Sequence, residues 1–217
     1  MIGDPGSWLA QFQDVEERLI ARLPAVWPVC LRGLPAQPLE DQITLRLVVH
    51  LRRDREARRL GAIHAQLMLL EEQLTGDVVP KGYIDFAIIL GENPECYVAF
   101  ECKRLNVNSR SGVVSLAGVY AEKGMMRYIC AQYARELPLG VMIGYVLDGN
   151  TAVAEARLVS AITARAQALC ISASPVSREP VAFIRRLLTN HHRTGETRAF
   201  EIRHALLPYP PPVRSAR

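Results

Sequence analysis

The most regular pattern of apolar and polar residues lies at positions 82–105, where two apolar runs flank an Asn-Pro dipeptide at 93–94. Apolar runs joined by turn residues predict the two strands of an antiparallel β-hairpin. Asp85 interrupts the first strand, and Glu101 and Lys103 interrupt the second. Because burying an unpaired charge costs several kcal/mol, we expect these side chains to have a compensating partner.

An amphipathic helix is predicted near the N-terminus from apolar residues at three- and four-residue steps, which are Trp8, Phe12, Val15, Leu19 and Leu23. Pro24 is expected to end this helix, since proline lacks the N–H group and crowds the preceding turn. Further prolines up to residue 38 indicate an extended connector. We therefore divide the chain into an N-terminal helix and connector, residues 1–38, and a main domain with a C-terminal extension, residues 39–217.

The main domain is predicted to begin with a helix whose apolar stripe consists of Leu39, Ile43, Leu47 and Leu51. By periodicity alone, residues 64–75 fit a helix or a strand. Their position directly before the hairpin favours the first strand of a sheet.

Downstream of the hairpin, a polar loop is predicted at 106–112 and a helix at 118–137. The apolar run at 140–147 predicts a strand covered on both faces, and Thr151 is expected to cap the next helix. Alternating apolar and polar residues at 200–206 predict a half-exposed additional strand, which the prolines at 208–212 are expected to end.

Composition limits the class of protein. Apolar residues make up 49% of the 217 residues, yet no uncharged apolar run approaches the roughly 18 residues of a membrane span. The N-terminus lacks the basic and apolar segments of a secretory signal, which favours a cytoplasmic protein. Five cysteines without CxxC spacing argue against a disulfide framework or a zinc ribbon. A net charge of +4 allows a phosphate-bearing partner without requiring one.

The ionisable residues of the hairpin suggest a metal site. If Asp85 lies opposite Glu101, two carboxylates converge beside Lys103, and a divalent cation relieves their repulsion. Oxygen ligands suit Mg²⁺ or Mn²⁺, and such an ion supports phosphodiester hydrolysis by activating a bound water. The alternative is an internal salt-bridged cluster in which Lys103 neutralises one carboxylate.

An aspartate on one strand and Glu-x-Lys on the next, here Asp85 and Glu101-Cys102-Lys103, resemble the motif of the PD-(D/E)xK, or restriction-endonuclease-like, nuclease superfamily. The proline of that motif is absent from this chain. The resemblance covers residues 40–148. It implies an α/β fold with an αβββαβ core, a mixed sheet flanked by helices, a Mg²⁺ site on the hairpin, and cleavage of nucleic acid, which we expect to be DNA.

The resemblance also implies a fuller set of metal ligands. Many members add an acidic residue from the first helix, and Glu40 matches that position. Carboxylates also favour helix N-termini for electrostatic reasons alone, so both interpretations of Glu40 stay open. With Cys102, the expected ligands are Asp85, Glu101, Cys102 and Glu40.

Three further residues are candidates for binding substrate. Arg127 and Tyr120 lie on the helix that follows the hairpin, which in the superfamily faces the scissile phosphate, and Arg110 lies in the polar loop. Each has an ordinary structural alternative, as a solvated or core position. The basic residues at 52–59 and the histidines at 191, 192 and 204 are more simply explained as solvated or structural positions.

Three functions remain open. The first is a metal-dependent nuclease that acts alone, as a homodimer, or as the cutting subunit of a restriction, defence or repair system. The second is a catalytically inactive module of the same fold that binds nucleic acid or a partner protein. The third is a structural or regulatory protein whose charged residues pair with one another.

Overall fold

The fold is described from a computed structural model that covers residues 5–209. Its helices are α1 (Pro5–Leu31), α2 (Glu40–Arg53), α3 (Arg55–Arg58), α4 (Ala117–Val119), α5 (Met126–Ile129) and α6 (Thr151–Thr163), with a π-helical turn (Tyr120–Met125) between α4 and α5. Its strands are β1 (Ala62–Glu72), β2 (Val78–Ile89), β3 (Tyr97–Leu105), β4 (Val107–Ser109), β5 (Gly112–Val114), β6 (Leu139–Val146), β7 (Ile171–Val181), β8 (Ile184–His192) and β9 (Ala199–Pro208).

Seven strands form one mixed sheet in the order β1-β2-β3-β6-β9-β8-β7, and β4 pairs with β5 separately. β3, β6 and β9 are parallel neighbours at the centre. The outer pairs on both sides are antiparallel. Every residue of β6 is buried, as expected for a nearly continuous apolar strand in the middle of a sheet.

Helices cover both faces of this sheet. On one face, the ring of Trp27 in α1 stacks on Tyr145 of β6 with 5.7 Å between the ring centroids. On the other face, the helical segment 117–129 packs so closely that a methyl group at Gly140 would overlap the ring of Tyr128. The predicted α/β class, with a mixed sheet flanked by helices, is therefore confirmed.

The first helix is longer than predicted. α1 continues through Pro24 and Pro28 to Leu31, so the predictions that Pro24 ends the helix and that an extended connector begins there are wrong. Although each proline removes one backbone hydrogen bond, the apolar face continues past them, and Leu23 and Trp27 are buried. Burial of that face accounts for the continuation. The division of the chain at residue 38 stays a prediction.

The segment after β5 is less helical than the predicted helix at 118–137, because its helical turns end at Ile129. Ala131 and Ala134 have positive φ angles, both of 52°, a conformation that is typical of helix ends. The guanidinium of Arg193 donates to the carbonyl oxygen of Ala134 at 2.9 Å. This long-range donor replaces a partner that a continuing helix would supply.

The C-terminal part of the chain contributes more to the sheet than predicted. β9 is a central strand between β6 and β8, and it is buried on both faces instead of half-exposed. β7 and β8 were not predicted, since their charged and apolar residues alternate irregularly. The prolines after Pro208 lie outside the described residues.

Other local predictions have mixed outcomes. The strands predicted at 64–75 and 140–147 correspond to β1 and β6 and are confirmed. The predicted polar loop contains the β4–β5 hairpin, and α6 is capped by Asn150 instead of Thr151. In the described structure all five cysteines are free. Among the residues that the structure describes, no helix has the length and apolar composition needed to cross a membrane.

Candidate active site

The candidate site lies where β2 and β3 separate. Their ladder runs from Ile89 paired with Tyr97 to Phe86 paired with Phe100 and ends there. Beyond this point a side chain replaces the backbone of β2 as the hydrogen-bond acceptor: Oδ2 of Asp85 accepts the backbone N–H of Cys102 at 2.6 Å. The fork thus directs the Asp85 side chain towards β3.

A second carboxylate continues the same edge. Glu40, the first residue of α2, accepts the backbone N–H of Arg104 through its Oε2 at 3.0 Å. The next N–H group of β3 along this edge is therefore satisfied by a helix residue. This contact brings Glu40 to the hairpin, as the resemblance implied.

The backbone is irregular on the other side of β2 as well. Ala65 pairs with Phe86 and Leu67 pairs with Ile84, but the intervening pair of Gln66 with Asp85 is missing from the ladder. Gln66 has a φ of 49°, which costs a non-glycine residue on the order of 1 kcal/mol. Distortions of this kind cluster at functional sites, where they redirect a side chain.

The ammonium group of Lys103 is the centre of the site. Its Nζ lies 2.8 Å from Oε1 of Glu40, 2.7 Å from Oε1 of Glu101, 2.7 Å from the carbonyl oxygen of Cys102 and 3.9 Å from Oδ2 of Asp85. All four residues predicted as metal ligands thus converge on one cationic atom. The sequence predicted this convergence beside Lys103. The salt-bridged alternative paired Lys103 with one carboxylate, whereas in the structure its ammonium lies among three.

Glu101 has the most unusual environment of these residues. Its side chain is 0% exposed. Oε1 forms charge-assisted contacts with Lys103 at 2.7 Å and with Arg127 at 3.5 Å, whereas Oε2 has no hydrogen-bond partner in the described part of the chain. Burial, reinforced by the charge of Asp85, raises the pKa of Glu101 to about 7 despite the opposing charge of Lys103.

The neighbouring groups respond to the same environment. Burial raises the pKa of Asp85 above its ordinary value, against the opposing effect of Lys103. Burial alone lowers the pKa of Lys103, but the carboxylates of Glu101, Asp85 and Glu40 raise it by more, so it lies above the ordinary value. Lys103 is therefore a firmly charged cation.

Cys102 can contribute only its backbone to this site. Its side chain is fully buried, and burial followed by the charge of Asp85 raises the pKa of the thiol well above its ordinary value. A thiolate ligand is incompatible with that environment. The carbonyl oxygen of Cys102, which contacts Lys103, is the available donor.

Arg127 connects the site to a residue that the sequence did not indicate. Its guanidinium lies 3.5 Å from Oε1 of Glu101 and donates to the hydroxyl of Tyr133. That hydroxyl donates in turn to the carbonyl oxygen of Tyr83, two residues before Asp85. Tyr133 is not among the predicted site residues, and only its long-range contact with β2 reveals that it positions Arg127.

The other two predicted substrate-binding residues lie apart from this cluster. Tyr120 is fully buried, and its hydroxyl lies 3.0 Å from Nδ1 of His204. A buried side chain cannot touch substrate, so the prediction for Tyr120 is corrected to a structural role. Arg110 is exposed at the turn between β4 and β5, and its role stays a prediction.

Whether a divalent ion fits depends on the oxygen donors. Within residues 5–209, no three His, Cys, Asp or Glu side chains form a ready metal-binding group. The oxygens around Lys103 are nevertheless hard donors of the kind that Mg²⁺ and Mn²⁺ prefer. Oε2 of Glu101 also has no hydrogen-bond partner in the described structure. The donor set therefore fits a hard cation once the ammonium group moves.

A separate groove of about 740 Å³ lies between α1 and the start of α6, lined by Trp27, Asp148, Phe183 and Arg185 among others. It contains none of the residues around Lys103. Its chemistry is mainly apolar, and we assign the candidate active site to the charged cluster instead.

Comparisons with known protein families, with curated proteins and with solved structures found no match to this chain. The class of the protein therefore rests on the fold and on the geometry of this site.

Proposed function

We propose that this protein is a divalent-metal-dependent nuclease of the PD-(D/E)xK type, which hydrolyses phosphodiester bonds in DNA with Mg²⁺ or Mn²⁺ as its cofactor. One observation carries the proposal. Oxygen atoms from α2, β2 and β3 surround a single cation position, and one of them belongs to a fully buried carboxylate whose second oxygen has no hydrogen-bond partner in the described structure. A purely structural ion pair has no need of that arrangement.

The order of elements along the chain supports the same proposal. Apart from the four-residue α3 and the small β4–β5 hairpin, α2, β1, β2, β3, the helical segment 117–129 and β6 follow one another, which agrees with the αβββαβ order that the resemblance implies. The candidate residues come from the elements expected to carry them: Glu40 from the first helix, Asp85 from the second strand, and Glu101 and Lys103 from the third.

Each residue has a proposed role. Asp85, Glu101, Glu40 and the carbonyl of Cys102 would hold the metal, which when bound supplies an activated water and neutralises developing charge. Lys103 donates hydrogen bonds that orient this water or stabilise the phosphoryl oxygens.

Arg127 is proposed to contact the substrate phosphate. Its side chain is 36% exposed while its guanidinium reaches Glu101, so one face of the group is open to solvent. A guanidinium suits this task, because it recognises phosphate oxygens in a bidentate manner. We expect the enzyme to act in the cytoplasm, alone, as a homodimer, or as the cutting subunit of a restriction, defence or repair system.

The alternative is a catalytically inactive module of the same fold that binds nucleic acid or a partner protein. One observation favours it: the three carboxylates already share a cationic partner, since Lys103 pairs with Glu40, Glu101 and Asp85. In that case Lys103 would be a permanent structural partner of the three carboxylates.

Nicking of supercoiled plasmid DNA, measured with Mg²⁺ and with a chelator, tests the proposal. We expect wild-type activity only with the metal. Asp85→Asn and Lys103→Met should each reduce the rate by about 100-fold or more, which is typical for the loss of one group that stabilises charge in the transition state.

The matched control is Glu56→Gln. It removes an exposed carboxylate on α3 that pairs with Arg59, and it should leave the rate unchanged. Metal-dependent nicking that persists unchanged in both site variants would reveal a contaminating nuclease. Absence of nicking in the wild type, together with retained DNA binding, would favour the inactive module.

A further inference from the structure

We propose that Lys103 is an exchangeable plug of the metal site: its ammonium group holds the cation position in the metal-free protein, and the metal enters by displacing it. This inference rests on the proposed function and concerns how the same site is kept closed and opened. It makes Lys103 a group with two positions, one in the metal-free protein and one in the loaded protein.

The first step of the argument is that the ammonium group fits its position incompletely. An ammonium has three N–H donors in fixed directions. The carbonyl of Cys102 and Oε1 of Glu40 receive two hydrogen bonds, at 2.7 and 2.8 Å. Oε1 of Glu101, at 2.7 Å, takes the third, while Asp85 remains 3.9 Å away. Oε2 of Glu101 has no hydrogen-bond partner in the described structure, so buried oxygen of the cluster is left that the ammonium does not satisfy.

The second step is that a metal and this ammonium cannot share the position. A divalent ion has no donor directions and takes about six oxygen ligands at 2.0–2.6 Å. To reach the same oxygens it must lie between them, where Nζ now lies at 2.7–3.9 Å from each. Two cations so close together in a poorly solvated site repel strongly. Metal entry therefore requires the ammonium to withdraw from Glu101 and Glu40.

The third step is that only the end of the lysine side chain needs to move. A methyl group at Gly124, in the π-helical turn, would overlap Cε of Met142 and lie 3.3 Å from Cγ of Lys103, so the first part of the stem is closely packed. The side chain as a whole is 11% exposed, so part of it already reaches solvent. The terminal bonds of a lysine rotate readily, which lets the ammonium withdraw while the strand stays in place.

Lysine labelling in the intact protein measures the plug directly. The lysines of the chain are Lys81, Lys103 and Lys123. The side chain of Lys103 is 11% exposed and bound by carboxylates, so brief treatment with acetic anhydride should leave it unmodified without metal. With saturating Mg²⁺ we expect its acetylation, followed by peptide mass spectrometry, to rise several-fold, while Lys81 and Lys123 serve as internal references.

Metal affinity supplies a second readout that is independent of activity. If the open position of Lys103 is a minor state, removing the plug should tighten Mn²⁺ binding by about 10- to 100-fold in Lys103→Met. Arg127→Met also removes a positive charge near Glu101 but leaves the plug, so its effect on affinity should be clearly smaller. Titration calorimetry measures both variants, and circular dichroism verifies their folding.

The possible results separate the two proposals. Increased labelling of Lys103 with Mg²⁺, together with tighter Mn²⁺ binding in Lys103→Met than in Arg127→Met, supports the plug. Metal-dependent nicking by a wild type whose Lys103 stays protected overturns the plug and leaves the nuclease intact. Absence of saturable Mn²⁺ binding, even in Lys103→Met, overturns both.

Discussion

Glu16 and Glu101 are carboxylates of nearly equal burial, with side chains that are 1% and 0% exposed. Glu16, on α1, accepts hydrogen bonds from Arg186 on β8 at 3.1 Å and from Arg203 on β9 at 2.8 Å. Glu101, on β3, is contacted through Oε1 by Lys103 at 2.7 Å, and its Oε2 has no hydrogen-bond partner in the described structure. Equal burial therefore goes with two different sets of partners.

The two glutamates differ in the hydrogen-bond donors that surround them. Guanidinium groups held by two strands bind Glu16 with directional hydrogen bonds, which fasten α1 to the sheet and compensate the loss of hydration. Oε2 of Glu101 keeps its lone pairs unused at a place where two other carboxylates and a carbonyl also converge. An unused oxygen in a buried carboxylate cluster can bind a cation, and Glu16 offers none.

Replacing Glu16 should have the largest effect on stability. Glu16→Ala leaves Arg186 and Arg203 buried without this partner, and breaking a buried ion pair from one side costs about 3–5 kcal/mol. Urea unfolding at pH 7 measures the loss. Glu17→Ala is the matched control, since Glu17 contacts Arg203 but is 48% exposed, and exposed pairs contribute at most about 1 kcal/mol. Equal losses in both variants would contradict the comparison.

Replacing Glu101 should instead leave stability unchanged or improve it. The pKa of Glu101 is raised from 4.5 to about 7 by folding, so the folded protein binds this proton more tightly than the unfolded chain. The contribution of Glu101 to stability consequently falls as pH rises from 4.5 to 7. With metal chelated, Glu101→Gln should match the wild type at pH 4.5 and exceed it by at most about 3 kcal/mol above pH 7.

The quantity to measure is the difference in unfolding free energy between Glu101→Gln and the wild type, because other buried groups change stability in the opposite direction with pH. Burial lowers the pKa of His191 to about 4 and that of His204 to about 3. Their stabilising effect is lost as pH falls below their ordinary value of 6.5. Both proteins retain these histidines, so a difference that stays flat between pH 4.5 and 7 would refute the prediction for Glu101.

The sequence predicted which hairpin residues come together better than it predicted the rest of the fold, because that proximity depends on local alternation. Period-two spacing places Glu101 and Lys103 on one face of β3, and the turn at 93–94 brings Asp85 close to them. Neither inference requires long-range information.

Long-range contacts could not be predicted in the same way. The partners of Glu16 lie 170 and 187 positions away, on strands whose irregular patterns gave no signal or the wrong exposure. The role of Tyr133 depends on the turn at Ala131 and Ala134, where helical periodicity wrongly suggested a continuing helix. Which cation occupies the carboxylate cluster depends on distances, and a sequence contains none.

The smallest effect on stability is expected in a network of uncharged buried side chains. Nδ1 of His191 donates to the carbonyl oxygen of Leu169 at 2.7 Å, so its Nε2 must accept from the hydroxyl of Thr189. The hydroxyl oxygen accepts in turn from Nε2 of His204, whose Nδ1 accepts from Tyr120. Every buried nitrogen of this chain of side chains thus has a partner.

Thr189→Val removes the central hydroxyl and keeps the shape, leaving Nε2 of His191 and of His204 unpaired in the core. We expect a loss of about 2 kcal/mol in urea unfolding, the usual cost of stranding buried polar groups. Thr189→Ser keeps the hydroxyl and loses one methyl group, which costs about 0.8 kcal/mol. If valine were tolerated as well as serine, hydrogen-bond satisfaction would not be what stabilises buried polar groups here, and the contrast between Glu16 and Glu101 would lose its physical basis.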